Sequence, residues 1–383
     1  MRSAGTVRAV AQLAASGLPW VPTREASRAA DVTESWLTAK LSTRVPGAAV
    51  LSASEAGGTT GTTDRRRMVV EWNDAGAQAG LPKNIFIKST PLTAKNRFMV
   101  GALDMAVNEV RFYNQAARTL DGVVPRVWYA YAGIGARFLI LLDDIVADGA
   151  RPYALADRCD IVHARGLIDT FATLHSQFWN SPRFCRDLSW VRKWSRRPGY
   201  RVLKQFYTRG RAGALKLDRP EVTAAVREVA GALDRYPDEY YREFETGPLT
   251  FLHGDSHLGN TYATADGRAG LLDWQVVWQG PGLREVSYWM TTGLEPELRR
   301  SHELELLERY LDGLRAGGVS EVPDFNSAFQ RYRLFSAEAW DATAMTINWP
   351  GLQEAENMEA GWRRACLAVE DLDAAAAIRR LAR

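Results

Sequence analysis

The sequence is poor in cysteine, which limits the redox and metal chemistry that it can support. Its three cysteines, Cys159, Cys185 and Cys366, lie far apart, and no C-x-x-C pair occurs. This pattern predicts neither a disulfide framework nor a thiolate metal site. A reducing, cytoplasmic compartment is the setting that it favours.

Long apolar runs and a strong charge imbalance are also missing. No apolar run reaches the roughly 18 residues that a membrane helix needs, so we expect no membrane partner. The formal net charge is +3 over 383 residues, which does not favour a nucleic-acid partner. The balance of 46% hydrophobic and 24% charged residues is that of a globular chain. The length allows two lobes, and the composition indicates no particular oligomeric state.

The stretch FLHGDSHLGN, residues 251–260, supports two interpretations. His253, Asp255 and His257 form an H-x-D-x-H pattern, which resembles half of the metal site of a metal-dependent hydrolase. Asp255 and Asn260 also belong to an H-x-D-x-x-x-x-N pattern, which resembles the catalytic loop of an enzyme that transfers phosphate from a nucleotide.

The hydrolase interpretation needs further metal ligands, and the other histidines do not supply a cluster. A hydrolytic metal site takes three or more ligands and keeps an open position. His163 and His175 lie in a segment with helical spacing, and His302 lies among glutamates. A hydrolase built on the H-x-D-x-H pattern is therefore the weaker alternative.

The phosphate-transfer interpretation requires a second oxygen ligand for Mg²⁺ after the loop. Residues 261–263 and 270–272 are predicted to form two short strands around a turn at 265–267. This hairpin returns Asp273 towards Asn260, and amide and carboxylate oxygens suit a hard ion. The sequence therefore predicts that Asn260 and Asp273 bind Mg²⁺.

The same interpretation requires a lysine and a glutamate upstream of the loop. Phosphoryl transfer needs a cation at the nucleotide phosphates, and in kinases a helical glutamate holds that cation. Lys88 ends the apolar strand pattern IFIK, and residues 101–120 are predicted to form one helix with Glu109 bordering its apolar face. We therefore expect Lys88 to reach the phosphates and Glu109 to hold Lys88.

Taken together, these elements resemble the aminoglycoside phosphotransferase and choline-kinase-like enzymes, which are small-molecule kinases with the protein-kinase fold. The resemblance extends in order from about Trp36 to Trp289 and so covers most of the chain. The motifs that carry it are IFIK ending at Lys88, NEVRFY with Glu109, HGDSHLGN, and LLDWQ with Asp273.

The resemblance implies an α+β, two-lobed protein-kinase-like fold. Residues 1–142 would form an N-terminal extension and a nucleotide-binding lobe with a small antiparallel sheet. Residues 143–383 would form a larger, mostly helical lobe for catalysis and substrate binding. The candidate strands of the sheet are residues 48–53, 67–72, 85–88, 127–131 and 137–142.

The resemblance also implies further nucleotide contacts. Backbone groups around Asp143 would contact the base. In the stretch SEAGGTTGTTDRRR, Gly57, Gly58 and Gly61 would let the backbone approach the phosphates, or else the stretch would form a flexible hairpin tip.

The implied reaction is transfer of the γ-phosphate of ATP or GTP, with Mg²⁺, to a hydroxyl of a small substrate. Asp255 would orient that hydroxyl, and the acceptor would be an amino sugar, an aminoglycoside-like antibiotic, a sugar or an amino alcohol. A nucleotide-binding module without catalysis is the alternative. Glu285 stands where the family often has an aspartate, and we expect a structural role for it. No long activation segment follows Asp273, which disfavours a protein substrate.

Two segments are candidates for acceptor binding. Residues 186–216 are basic and rich in aromatic residues, whereas residues 337–362 carry acidic residues that include Glu338 and Asp341. The two segments differ in sign of charge, so the sequence leaves the charge of the acceptor open.

Overall fold

The structure, a computed structural model, describes residue 14 and residues 25–120, 122–349 and 353–382. The chain forms two compact units, one of Met1–Ala150 with Asp273–Val276 and one of Arg151–Leu272 with Val277–Arg383. The predicted division after residue 142 stays a prediction, and most of the predicted N-terminal extension lies outside the described residues. Among the described residues, no helix combines the length and the apolar character that a membrane span requires.

The first unit contains a five-stranded antiparallel sheet with the strand order β1-β2-β3-β5-β4. The small antiparallel sheet that was predicted is therefore confirmed. Its strands are β1 (Val50–Thr60), β2 (Asp64–Trp72), β3 (Asn84–Ser89), β4 (Val127–Ala132) and β5 (Phe138–Asp143).

Alternation along β3 separates an apolar face of the sheet from a polar one. Ile85 and Ile87 are buried in one apolar cluster with Leu37 of helix α1 (Glu34–Leu41). Successive side chains of a strand point to opposite faces, so Lys88 projects from the face that α1 does not cover. The two isoleucines of IFIK thus pack in the core, and its lysine lies on the other side of the sheet.

The helix predicted over residues 101–120 is interrupted. Helix α2 (Asp74–Gln78) lies before this region. The region itself contains the end of α3 (Ala94–Ala102), then α4 (Met105–Arg111), a π-helical turn (Phe112–Ala116) and a 3₁₀ turn (Ala117–Thr119). The break falls at Asp104, whose φ of 55° is left-handed and ends α3. Aspartate is one of the few side chains that tolerate this conformation. Glu109, which the sequence placed at the border of the apolar face, lies on α4 and is buried.

The second unit is mostly helical, as predicted. Its helices are α5 (Ile161–Gln177), α6 (Tyr200–Ala214), α7 (Ala224–Arg235), α8 (Pro237–Arg242), α9 (Gly282–Gly293), α10 (Pro296–Ala316), α11 (Phe325–Ile347), α12 (Ala355–Asp371) and α13 (Ala374–Arg379). Every residue of α9 is buried, so its polar side chains must find partners inside the unit.

Short strands in the second unit support the loop 253–260. They are β6 (Arg151–Pro152), β7 (Thr250–Leu252), β8 (Thr261–Ala263), β9 (Ala269–Leu271) and β10 (Trp278–Gly280). β7 pairs with β10 and leads into the loop, while β8 leaves it and pairs with β6 and β9. The predicted hairpin over residues 261–272 is therefore confirmed, with its second strand beginning one residue earlier.

Candidate active site

In the first unit, Lys88 contacts two carboxylates. Its Nζ lies 2.9 Å from Oε1 of Glu109 and 2.8 Å from Oδ1 of Asp273. The side chain of Lys88 is only 4% exposed. Burial raises the pKa of Glu109 above its ordinary value, while the Lys88 ammonium opposes this effect. The structure thus brings together the lysine and the glutamate that the sequence paired, although their roles stay predictions.

Asp273 has a left-handed backbone, with φ of 66°. Such a conformation costs an L-residue roughly 1–2 kcal/mol and persists where the surroundings impose it. The Trp274 ring is buried and stacks on Phe112, with ring centroids 3.8 Å apart. The carbonyl of Gln275 accepts a hydrogen bond from Nδ2 of Asn108 at 3.3 Å. The helical segment that carries Glu109 therefore also fixes the residues that follow Asp273.

Arg65 is a member of this cluster that the sequence analysis missed. Its Nη2 lies 3.2 Å from Oδ2 of Asp273, so each carboxylate oxygen of Asp273 has one cationic partner. Arg65 is the first of three consecutive arginines. It joins the cluster because it lies directly opposite Lys88 in the pairing of β2 with β3, and the spacing of residues in the sequence does not reveal this register.

The glycine-rich stretch forms the end of the hairpin of β1 and β2, as one of its two interpretations predicted, and the flexibility of the tip stays a prediction. Gly57 and Gly58 lie in β1 and pair with β2. Gly57 has φ of 124° at a β-bulge, and a Cβ at Gly58 would lie 2.5 Å from the carbonyl oxygen of Arg65. The geometry of the hairpin therefore explains why glycine occurs at both positions. The tip begins at Gly61, and contact of these glycines with phosphates stays a prediction.

Asp143 is the last residue of β5, and its polar groups are engaged within the first unit. Its N–H donates to the carbonyl of Arg126 at 3.0 Å, and its carboxylate accepts from Nε1 of Trp128 at 2.5 Å. Burial raises the pKa of Asp143, against the effect of the Trp128 hydrogen bond. The N–H of Asp143 is therefore occupied, and a contact of this segment with a base stays a prediction.

In the second unit, His253 braces the loop 253–260. Its Nε2 donates to the carbonyl of Leu272 at 2.7 Å, and its Nδ1 accepts from the N–H of Asp255 at 3.2 Å. These two bonds occupy both ring nitrogens, which argues against His253 as a metal ligand. In the described part of the chain, no group of three or more His, Cys, Asp or Glu side chains could hold a metal ion. The first histidine of the H-x-D-x-H pattern thus has a structural explanation.

Glu285 holds the same loop from helix α9. Its two carboxylate oxygens accept the N–H groups of His253 and Gly254, both at 2.8 Å, and His175 Nε2 lies 3.3 Å away. Burial alone would raise the pKa of Glu285, but the hydrogen bond from His175 and the charges around it lower that pKa to about 2. Gly254 has φ of 87°, which explains the glycine of the motif.

Asp255 follows this fixed backbone and is half exposed, with 42% of its side chain accessible. Its Oδ1 accepts from the hydroxyl of Tyr288 at 3.1 Å, and Nε2 of His257 lies 3.8 Å from Oδ2. Nδ2 of Asn260 donates to the carbonyl of Asp255 at 2.8 Å, which orients the amide. Tyr288 was missed by the sequence analysis, but it lies three residues after Glu285, on the same side of α9.

Helix α11 brings two buried carboxylates to the surroundings of this loop. Glu338 Oε1 lies 2.5 Å from Nη2 of Arg284, whose Nη1 donates to the carbonyl of Gly254 at 3.2 Å. Asp341 Oδ2 lies 2.6 Å from Nη1 of Arg211 on α6. The acidic and the basic candidate segments therefore contact each other.

One oxygen of each of these carboxylates has no hydrogen-bond donor in the part of the chain that the structure describes. Glu338 and Asp341 are each 2% exposed, and Oε2 of Glu338 and Oδ1 of Asp341 accept no hydrogen bond from the described residues. Burial raises the pKa of both carboxyls, that of Asp341 to about 6, against the effects of Arg284 and Arg211 respectively. Arg284 contacts both Glu338 and the carbonyl of Gly254, which locates Glu338 close to the loop.

Comparison with known proteins identifies the family to which the chain belongs. The model of the phosphotransferase enzyme family matches residues 101–318, which is more than half of the chain. The chain belongs to this family. The matched range of the phosphotransferase family includes Glu109, Asp255, Asn260 and Asp273, whereas Lys88 precedes it. A comparison with curated proteins found no match.

Solved structures are similar to this phosphotransferase at low identity. A protein from Ralstonia eutropha JMP134, assigned as an aminoglycoside phosphotransferase, has 14% identity and a TM-score of 0.52, covering 90% of this chain and 97% of that one. The choline kinase LicA from Streptococcus pneumoniae has 13% identity and a TM-score of 0.44, covering 88% and 99%. A spectinomycin phosphotransferase in complex with ADP and spectinomycin has 11% identity and a TM-score of 0.47, covering 93% and 100%.

These findings confirm the resemblance and the predicted fold class. The first structural similarity supports the α+β protein-kinase-like fold, and family membership makes the chain a small-molecule phosphotransferase. The prediction of an enzyme that transfers phosphate is thereby confirmed.

Proposed function

We propose that this phosphotransferase is an ATP-dependent small-molecule kinase, which transfers the γ-phosphate to a hydroxyl group of its acceptor. The observation that carries the proposal is the buried Lys88 ammonium, 2.9 Å from Glu109 and 2.8 Å from Asp273. A lysine ammonium is a compact positive charge that binds phosphate well. Glu109 would hold the ammonium in position while nucleotide phosphates bind to it. Parallel incubations with ATP and with GTP distinguish the two possible phosphate donors.

Asp255 has the properties of the residue that orients the acceptor hydroxyl. Its backbone is fixed through Glu285 and His253, yet its carboxylate is 42% exposed, so that a hydroxyl can approach it. Tyr288 occupies Oδ1 and thereby sets the orientation of the carboxylate. In phosphoryl transfer, positioning of this kind accounts for much of what protein side chains contribute.

The predicted Mg²⁺ ligands also have a suitable chemistry. Asn260 uses its Nδ2 to donate to the carbonyl of Asp255, and its amide oxygen accepts no hydrogen bond from the described residues. Asp273 offers a carboxylate that already attracts cations. Mg²⁺ prefers a few such oxygens and takes its remaining ligands from water and phosphate. Bound there, the ion would neutralise charge on the phosphates.

The acceptor that the site favours carries an amino group. Oε2 of Glu338 and Oδ1 of Asp341 are buried without a hydrogen-bond donor among the described residues. A buried carboxylate oxygen left without a donor is unfavourable, so a ligand that supplies an ammonium group would gain from meeting it. This favours an amino sugar, an aminoglycoside-like antibiotic or an amino alcohol over a neutral sugar.

A nucleotide-consumption screen tests the proposal. The enzyme should be incubated with Mg²⁺ and either ATP or GTP, and with pairs of acceptors that differ only in an amino group replaced by a hydroxyl. We expect a phosphorylated product from an amine-bearing acceptor, with ATP, and far less of it from the Asp255→Asn variant. Nucleotide binding without any product across the screen would favour the non-catalytic module, and preference for the neutral member of each pair would contradict the amino acceptor.

A further inference from the structure

We propose that Arg65 is a second phosphate-binding residue for the nucleotide, acting beside Lys88; this proposal rests on the proposed function. Arg65 on β2 lies directly opposite Lys88 on β3 in the antiparallel pairing. Side chains of directly opposite residues project from the same face of a sheet. Both reach Asp273, Lys88 at 2.8 Å from Oδ1 and Arg65 at 3.2 Å from Oδ2.

Strand geometry separates Arg65 from the two arginines that follow it. Arg66 points to the opposite face, where its Nη1 lies 3.3 Å from Glu55 of the same hairpin. Arg67 shares the face of Arg65, but its Nη2 pairs with Asp144 at 3.2 Å. Of these three neighbours with equal charge, Arg65 is therefore the one that joins the Lys88 cluster.

In the structure, the two positive charges of this cluster are matched by two negative charges, and a bound nucleotide with its metal ion would change that balance. Lys88 and Arg65 are matched by Glu109 and Asp273, so the four groups sum to zero. If Asp273 turns to a metal ion, Arg65 loses the carboxylate that it now contacts. Its guanidinium then needs another anion, and phosphate oxygens fit its planar set of donors in a bidentate manner.

The exposed fractions of the two side chains indicate different roles for Lys88 and Arg65. The side chain of Lys88 is 4% exposed and is held by Glu109, whereas that of Arg65 is 37% exposed. An ion pair with that exposure contributes little to stability, usually about 0–1 kcal/mol. Stability therefore gives a weak reason for Arg65 at this position, and phosphate binding gives a stronger one.

The test compares nucleotide binding by Arg65→Gln with that by Arg66→Gln, a matched change on the opposite face of the same strand. Calorimetric titration of the full chain with ATP and with adenosine, in the presence of Mg²⁺, gives two affinities for each variant. For Arg65→Gln we expect the ratio of ATP affinity to adenosine affinity to fall about 10-fold to 100-fold, the range of a lost charge-assisted hydrogen bond. Arg66→Gln should keep the wild-type ratio, and Arg65→Lys should lie between.

The outcomes distinguish this proposal from the proposed function. The ratio within one variant does not depend on how much of the protein is folded, so an unstable Arg65→Gln preparation still reports on the phosphates. A wild-type ratio in Arg65→Gln, or an equal fall in Arg66→Gln, overturns the role of Arg65 while leaving nucleotide binding intact. Failure of the wild type to bind ATP at all overturns the proposed function instead.

Discussion

The carboxylate of Glu285, on the fully buried helix α9, accepts the backbone N–H of His253 at a distance of 2.8 Å. Its other oxygen accepts the N–H of Gly254, so one side chain fixes the two residues that precede Asp255. Because the loop depends on a charged acceptor, its stability should depend on the ionisation of Glu285.

The pH dependence of unfolding should show this contribution. The pKa of Glu285 falls from an ordinary value of 4.5 to about 2 in the folded chain. A carboxyl with a depressed pKa stabilises the fold above its unfolded pKa, and this stabilisation is lost as the pH falls through the folded value. We therefore expect Glu285→Gln to be less stable than the wild type at pH 7, with about 3 kcal/mol of this difference disappearing between pH 4.5 and pH 2.

Urea unfolding of both proteins across this pH range measures the difference. Glu297→Gln, a change at a side chain that is 81% exposed on α10, is the matched control and should leave the profile unchanged. A difference between wild type and Glu285→Gln that stays constant down to pH 2 would contradict the assignment of an ionised Glu285.

Lys88 and Glu109 should behave as one unit in kinetic experiments. Each group is buried and contacts the other at 2.9 Å, so removal of either leaves a charge without its partner. We expect Lys88→Ala and Glu109→Ala each to lower kcat/KM, and the double variant to be little worse than the poorer single one. The measurement is a double-mutant cycle on kcat/KM, and losses that multiply fully would argue against the pair.

Much of the fold was predictable because the relevant signals are local. The alternation of IFIK and the turn residues between residues 261 and 272 determine strands without reference to distant contacts, and the three strands β3, β8 and β9 are observed. The helix over residues 101–120 was predicted wrongly because its apolar periodicity continues across the break. The left-handed Asp104 and the π-helical turn after α4 interrupt it. Neither feature has a signature in the spacing of apolar residues.

The site was predictable where residue types are ordered along the chain, and not where contacts come from strand register. Lys88, Glu109 and Asp273 are each recognisable by their position in a motif. Arg65 joins them only because β2 pairs with β3 in one register, and a shift by one residue would present Arg66 in its place. Tyr288 likewise becomes a partner of Asp255 only once α9 packs inside the second unit.

Asp255→Asn should separate catalysis from nucleotide binding. The substitution keeps the shape of the side chain and removes the charge that orients the acceptor hydroxyl, so we expect kcat to fall by at least roughly 10²-fold. ATP affinity, measured by calorimetry, should barely change. Tyr288→Phe removes the hydroxyl 3.1 Å from Oδ1 and should lower kcat by a smaller factor. Near-normal turnover of Asp255→Asn would remove the proposed role.

Asp273 and Asn260 should differ in how strongly activity depends on Mg²⁺. Asp273→Ala removes a full negative charge and leaves Lys88 and Arg65 without a shared partner. Asn260→Ala removes a neutral amide and its hydrogen bond to the carbonyl of Asp255. The Asp273 variant should therefore lose more activity, because a carboxylate attracts a divalent ion more strongly than an amide does.

Activity measured against Mg²⁺ concentration for both variants tests this difference. Higher Mg²⁺ should restore Asn260→Ala more readily than Asp273→Ala, since mass action compensates for a lost neutral ligand more easily than for a lost charge. Asp273→Asn, which keeps an oxygen but not the charge, should fall between the two. Normal activity of Asp273→Ala at low Mg²⁺ would refute the assignment. Stoichiometric zinc in the purified wild type would also refute the assignment, because it would support the interpretation of the H-x-D-x-H pattern as a metal site.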